Sequence, residues 1–295
     1  MTAAKRIELY LTDIENQYQK VVTVDARRAA RAAGYEVTVF SADQDPARQL
    51  HQIYTCIHRP AAARPRAILV NVVTEGSLQR AFRDAAAVGI ASVLLNRTEE
   101  HLDDLRAAFP AVPIFAVSPD QREIGRIQAG QALGLLPRGG RVLLVQGVPE
   151  SSAGRQRLAG FRVGVGDAPI EVNVGVGRWS KAAAWEVTLE WLRQTAFTDP
   201  QPRAIVCQSD LMAEGAAEAL RAFARETARR KPKIPITGCG GVATAGRALV
   251  DRGVLAATVY MPSTGGVAVR LMVRALRSGT QPPAETLLRP TPYPA

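Results

Sequence analysis

In this 295-residue chain, the residues that could do chemistry with a small polar ligand sit at the ends of short apolar runs. Thr12, Asp13, Asn16 and Tyr18 follow the run 7–11, and Asn71, Thr74 and Glu75 close the run 67–72. Asn96 and Arg97 follow 92–95, while Glu150, Ser151, Ser152 and Arg155 follow 141–146. Trp179 comes after 170–176, and Gln208, Ser209 and Asp210 come after 204–207. These residue types suit a polyol. Each hydroxyl both donates and accepts, and a planar amide, carboxylate or guanidinium can pair with two neighbouring hydroxyls. The rings of Tyr18 and Trp179 offer flat apolar surface to the C–H face of a sugar ring. Each residue also has a plainer role. Thr12, Ser209 and Asp210 stand where helix caps stand. Arg97 suits a surface ion pair worth about 0–1 kcal/mol, and Trp179 suits a core.

Other chemistries find less support. There is no Gly-x-Ser-x-Gly elbow, and the chain has three histidines. His51 and His58 share a face of an exposed helix, and His101 lies in the acidic stretch 99–104, so nothing arranges a triad. Cys56, Cys207 and Cys239 are far apart and odd in number, which argues against a disulfide framework or a zinc site and for small buried residues. Gly238-Cys-Gly-Gly-Val-Ala243 satisfies a dinucleotide fingerprint, but it does not open the first strand–helix–strand unit and lacks the acidic partner about 20 positions on. The net charge of +10 raises nucleic acid as a partner. The charge is dispersed, however, and its densest run, 221–233, carries one aromatic and reads as a solvated helix end. No helix-turn-helix segment precedes Ile7, so direct nucleic-acid binding is not expected, nor is a cofactor.

The elements that must position these residues alternate along the chain. Ten apolar runs, 7–11, 36–40, 67–72, 92–95, 114–117, 141–146, 170–176, 204–207, 236–238 and 256–260, read as strands. Helical patterns fall near 18–33, 46–59, 76–88, 120–135, 153–165, 181–195, 211–229, 243–252 and 264–277. Such alternation predicts parallel sheets covered on both faces. Ten strands divide better into two sheets of about five than into one. Ligands of such sheets sit beyond the carboxyl ends of the strands, where the polar residues cluster. Gly34 and Gly89 mark helix C-termini, and Ser118-Pro-Asp-Gln121 reads as a capping box. The Pro-rich tail from Gln281 reads as extended. No apolar run reaches the ~18 residues of a membrane span, and Met1-Thr-Ala-Ala-Lys-Arg6 leads into the first strand without an apolar leader. The expected location is the periplasm if a leader was removed before Met1, and the cytoplasm if Met1 is the native start.

Several stretches resemble the ribose/galactose-type periplasmic binding proteins and the related effector domain of lactose-repressor-type regulators. They are Gly34-Tyr-Glu-Val, Gly89-Ile-Ala-Ser-Val-Leu-Leu-Asn-Arg97 and Asp120-x-x-x-x-Gly125. They continue with Gly147-x-x-x-x-Ser-Ala-Gly-Arg-Gln-Arg-x-x-Gly-Phe161, Gln208-Ser-Asp-x-Met-Ala-x-Gly-Ala216 and Leu255-Ala-Ala-Thr-Val-Tyr-Met-Pro262. The resemblance spans about residues 7–290. It implies an α/β fold of two doubly wound parallel-sheet lobes joined by a three-segment hinge. One lobe would be 1–118 plus 262–281 and the other 119–261 plus 282–295, with crossings at 117–119, 260–262 and near 282–286. It further implies non-catalytic binding of a small carbohydrate or polyol between the lobes with hinge closure, as the solute receptor of an ABC-type uptake system. The alternative is a cytoplasmic sugar-sensing module. A transporter permease or a signalling protein would be the downstream partner, with no membrane insertion.

Ligand positions implied by the resemblance are Thr12, Asp13, Asn16, Tyr18, Asn96, Arg97, Arg155, Trp179, Ser209, Gly240 and Tyr260. Tyr18 and Trp179 would sandwich the ring, and Arg155 would bond hydroxyls. This chain departs from the pattern at Gln19 (usually a second aromatic), Asn96 (usually aspartate), Ser209 (usually asparagine) and Gly240 (usually an aspartate that grips ring hydroxyls). A glutamine is also frequent near Tyr260 or Met261.

Overall fold

Strand β1 (Lys5–Leu11) shows how the alternation is used. Ile7, Leu9 and Leu11 join one buried cluster and Tyr10 joins another on the opposite face. Period-two alternation therefore separates two cores rather than core from solvent. The computed structural model describes residues 5–99, 101–195, 202–227 and 233–294.

After β1 come α1 (Gln17–Ala32), β2 (Tyr35–Ser41), α2 (Pro46–Ile57), β3 (Ala67–Val70), α3 (Gln79–Ala87), β4 (Ala91–Leu95), α4 (Leu102–Ala108) and β5 (Ile114–Pro119). The chain continues through α5 (Gln121–Leu135), β6 (Gly140–Gln146), α6 (Ser152–Val165), β7 (Ile170–Val176), α7 (Lys181–Thr195), β8 (Arg203–Cys207) and α8 (Asp210–Glu226). It ends with β9 (Ile236–Thr237), α9 (Ala248–Asp251), β10 (Thr258–Tyr260), α10 (Gly265–Ser278), β11 (Glu285–Leu288) and β12 (Thr291–Tyr293). Two compact units result: residues 1–119 with 262–288, and 120–261 with 289–295.

The first unit holds one six-stranded sheet in the order β11-β5-β4-β3-β1-β2, parallel throughout. The second holds a parallel sheet in the order β7-β6-β8-β9. Two isolated parallel bridges, Thr237–Ala257 and Gly240–Tyr260, extend it towards β10, which pairs antiparallel with β12. Among the described residues no helix is long and apolar enough to cross a membrane.

Close helix approaches depend on glycine. A Cβ at Gly125 would fall 2.1 Å from the Arg157 carbonyl oxygen, and one at Gly160 would fall 2.0 Å from that of Arg122. Thus α5 and α6 touch backbone to backbone. In the first unit α1 and α10 meet the same way, with a Gly265 Cβ 2.1 Å from the Val22 oxygen.

Several expectations need correction. The third crossing between units falls after Leu288, because 285–288 adds to the first sheet beside β5. The Pro-rich tail is therefore two strands rather than one extended segment. Ser118 does not cap α5: it and Pro119 are strand residues, and Asp120 accepts from the Glu123 amide at 2.9 Å. The acidic stretch carries α4, and His101 Nδ1 lies 3.0 Å from Glu99 Oε2 with an 11% exposed side chain, so it is not a lone surface histidine. Cys56, Cys207 and Cys239 are free and buried, and burial pushes the Cys56 thiol up to about 12 and that of Cys239 to about 11. Of the basic run 221–233, residues 228–232 lie outside the described residues, as do 228–229 of the expected helix 211–229.

Candidate functional site

In the first unit, the carboxyl end of β1 is braced by a residue whose role the sequence did not announce. Gln19 is 5% exposed. Its Oε1 accepts from the Thr12 amide at 3.0 Å and the Asp13 amide at 3.4 Å, and its Nε2 donates to Thr12 Oγ1 at 2.5 Å. Asn16 caps α1, its Oδ1 accepting from the Gln19 amide at 3.2 Å. Asp13 Oδ1 accepts from the Glu15 amide at 2.8 Å, a local turn.

At the end of β4, Asn96 adopts a left-handed φ of +62° and is 7% exposed. Its Oδ1 accepts from the hydroxyls of Tyr18 at 3.0 Å and Thr264 at 3.2 Å. Tyr18 also reaches the Pro262 carbonyl at 2.9 Å and packs on the core beneath α1. Its hydroxyl therefore works as a brace, a use beyond the ring-stacking expected of it. Arg97 lies 3.6 Å from Glu75, both side chains 14% exposed. The first unit thus brings Thr12, Asn16, Tyr18, Asn96 and Arg97 to the carboxyl ends of its strands.

The second unit is organised around Arg157. Arg155, the arginine singled out from the sequence, is exposed and turns its guanidinium to the Glu150 carbonyl. Arg157 is 5% exposed. Its Nε donates to Gln121 Oε1 at 2.8 Å, Nη1 to the Gln208 carbonyl and Nη2 to Met261 Sδ at 3.1 Å. The guanidinium lies 5.3 Å from the Trp179 ring centroid, a cation–π contact. A signal for it was present: Arg157, Gly160 and Phe161 have the i, i+3, i+4 spacing of one helix face, and all three are buried. Positions i and i+2 do not share a face, so Arg155 and Arg157 point to different sides of α6.

Trp179 takes a left-handed φ of +58° and lies over Gly147, where a Cβ would meet the indole at 2.1 Å. Ser209 caps α8, accepting from the Met212 amide at 3.2 Å. Asp210 is therefore the first helical residue, not the cap. Its carboxylate turns inward, accepting from the Gly241 amide at 2.7 Å and the Thr258 hydroxyl at 2.6 Å. Burial pushes its carboxyl up to about 6, although both hydrogen bonds pull it down.

Gly240 belongs to the cradle of that carboxylate. A Cβ at Gly240 would fall 2.6 Å from Asp210 Oδ2, at Gly238 2.3 Å from Oδ1, and at Gly246 2.0 Å from Oδ2. The same crowding explains the glycine-rich segment that mimics a dinucleotide fingerprint. Tyr260 faces Arg247, whose guanidinium lies 4.6 Å from its ring and 5.1 Å from that of Tyr293, so its ring is already engaged. A hollow of about 360 Å³ flanks β7, lined by Arg141, Glu171, Asn173 and Trp191 among others, and contains none of these strand-end residues. Among the described residues no group of three His, Cys, Asp or Glu could hold a metal ion.

Comparison with known proteins follows the same frame. A family profile described as the periplasmic binding protein domain matches residues 7–281. The D-apiose import binding protein of Paraburkholderia graminis is 30% identical over 226 residues, covering 76% of this chain and 67% of that protein. The ribose import binding protein of Bacillus subtilis is 23% identical over 264 residues, covering 88% and 77%. The crystal structure of a Caulobacter myo-inositol binding protein superposes with a TM-score of 0.82 at 21% identity, covering 99% of this chain and 94% of that one. With two parallel-sheet units and this profile over most of its length, the chain belongs to the periplasmic binding protein family.

Proposed function

We propose that the protein binds a small carbohydrate or polyol without changing it chemically and serves as the solute receptor of an ABC-type import system. The observation that carries this reading is the family match over residues 7–281, joined to relatives whose names are those of sugar import receptors. The strand-end residues support it: amide, hydroxyl and guanidinium groups are held at the carboxyl ends of the strands within each unit. In the first unit the candidate ligand groups are Thr12, Asn16, Asn96 and Arg97. In the second, Arg157 replaces Arg155 as the candidate anchor, with the Trp179 ring against it. The proposed compartment is the periplasm, in keeping with the description of the family profile, and the proposed partner is the permease of the importer. The relatives favour this reading over a sensing module.

A thermal-shift panel of ribose, apiose, allose, myo-inositol and their oxidised derivatives tests the reading. A ligand at 100 times its Kd adds about 2.7 kcal/mol of stability and should raise the melting temperature by several degrees. A panel in which no member shifts it would overturn the carbohydrate assignment.

A further inference from the structure

We propose that the outward face of α1 and α10 in the first unit is a docking surface for an anionic phospholipid bilayer. The two helices lie side by side and bury their apolar stripes in the same core, on one face of the six-stranded sheet. They run in the same direction: Gly265 meets Val22 at one end, and Arg277 donates to the Ala33 carbonyl at 3.4 Å at the other. Their outward stripes are basic. Arg27, Arg28 and Arg31 on α1, and Arg270, Arg274 and Arg277 on α10, recur at helical spacing and are all exposed. Together the two helices hold seven Lys or Arg against one acidic residue, a net +6 of the chain's +10. Helices α2, α3 and α4 cover the opposite face of the same sheet and hold four Arg against three Asp, a net +1. The sequence hides this concentration because the two stripes lie near opposite ends of the chain.

Little within the unit neutralises this face. Asp25, the acidic residue of the two helices, accepts from Arg28 at 2.6 Å. Among the described residues, Arg27, Arg31, Arg270, Arg274 and Arg277 make no ion pair. Arg27 with Arg31, and Arg270 with Arg274, stand at the i, i+4 spacing where like charges destabilise a helix. An anionic partner from outside the unit would relieve that repulsion, and the shape of the face selects its class. At Gly265 the helices touch backbone to backbone, so they leave no cleft there for a peptide or a nucleic-acid strand. Base stacking has no platform either, since Tyr18, the aromatic residue of the two helices, is packed on the core. What remains is an open array of guanidiniums on flexible arms. Such an array suits phosphodiester headgroups, because each planar fork pairs with phosphate oxygens without needing a pocket. The attraction of each basic residue to an anionic leaflet adds to that of the next and fades within a Debye length. Val24, 63% exposed one turn before Arg27 and Arg28, adds an apolar contact to the same stripe.

Sedimentation of the full chain with vesicles tests the proposal, comparing phosphatidylcholine alone with phosphatidylcholine containing one-third phosphatidylglycerol. At low ionic strength the anionic vesicles should bind the protein about tenfold or more tightly, and added salt should remove the difference. Combining Arg270→Gln, Arg274→Gln and Arg277→Gln should weaken that binding by about tenfold or more. The same charge removed from the opposite face, by Arg48→Gln, Arg80→Gln and Arg83→Gln together, should leave most of it. All six side chains are exposed, and melting temperatures check that both variants fold. The sugar-induced thermal shift reads the ligand site separately and should be the same in both. Equal binding to the two kinds of vesicle, or equal loss in the two triple variants, would overturn the docking surface. So would a protein that ignores the vesicles yet binds polyglutamate through the same arginines, which would make the partner an acidic protein.

Discussion

The two units present the same fold with opposite strategies at their strand ends. In the first, small neutral groups are laced to one another: Thr12 to Gln19 to Asn16, and Tyr18 to Asn96 to Thr264. No single residue there dominates. In the second, one guanidinium gathers Gln121, Gln208, Met261 and Trp179, while the acidic group beside it is turned away into a glycine cradle. A lattice spreads the consequence of losing any member, whereas a hub concentrates it. The first unit is therefore expected to set geometry and the second to set affinity.

The sharpest way to break this contrast is at the hub. Arg157→Met removes the donor from buried acceptors and should cost about 3 kcal/mol of stability, read as a lowered denaturant midpoint, together with at least ~2 kcal/mol of ligand affinity. A loss no larger than that of a first-unit substitution would erase the distinction. The inward carboxylate gives a second test. With its folded value raised to about 6 from an ordinary 3.8, Asp210 favours the folded state most when protonated. Stability should fall as pH rises from about 4 to about 6 and level off above, each tenfold difference in proton affinity being worth about 1.4 kcal/mol. Urea midpoints across that window should show the decline in wild type and a flatter profile in Asp210→Asn.

Substitutions at the helix seams sharpen the comparison from below. Gly160→Ala drives a methyl into the Arg122 carbonyl and should cost about 2 kcal/mol while also loosening ligand binding, because α6 carries Arg157. Gly265→Ala should cost a similar amount of stability with little effect on affinity. In the lattice, Tyr18→Phe removes one hydroxyl shared by Asn96 and Pro262 and should cost about 1 kcal/mol, measurable by chemical denaturation. Smallest is Arg155→Ala. An exposed side chain whose guanidinium turns to the Glu150 carbonyl should change affinity by no more than ~0.5 kcal/mol, and a loss like that of Arg157 would restore Arg155 as the anchor.

Much of the fold was legible because the relevant signals are local. Apolar runs bounded by Gly34 and Gly89 marked strands and helix ends, and both glycines take the positive φ that such ends require. Strand β12 was hidden by Pro292, which a strand tolerates at a sheet edge, and β11 by the prolines that flank it, Pro283 and Pro290. The capping of α5 was ambiguous because Ser118-x-x-Gln121 and Asp120-x-x-Glu123 overlap. Pairing of Pro119 with Leu288 settled it, a contact spanning most of the chain. Apolar-run boundaries correctly put Thr12, Asn16, Asn96, Trp179 and Ser209 just after the strands they follow. The choice between Arg155 and Arg157 turned on helix phase, and the roles of Gln19, Gln121 and Met261 depend on tertiary neighbours that no local pattern reveals.

The glycine cradle around Asp210 also constrains what this protein can become. An aspartate at position 240, the residue that the family resemblance implies there, would need to share its space with Asp210, because even a methyl there comes within 2.6 Å of that carboxylate and the backbone holds φ at +140°. That single substitution would therefore damage the unit before it could grip a new hydroxyl. In this chain the backbone at 240 and the Asp210 carboxylate would have to shift together to admit an acidic side chain, so a library that varies 240 alone should recover mostly glycine.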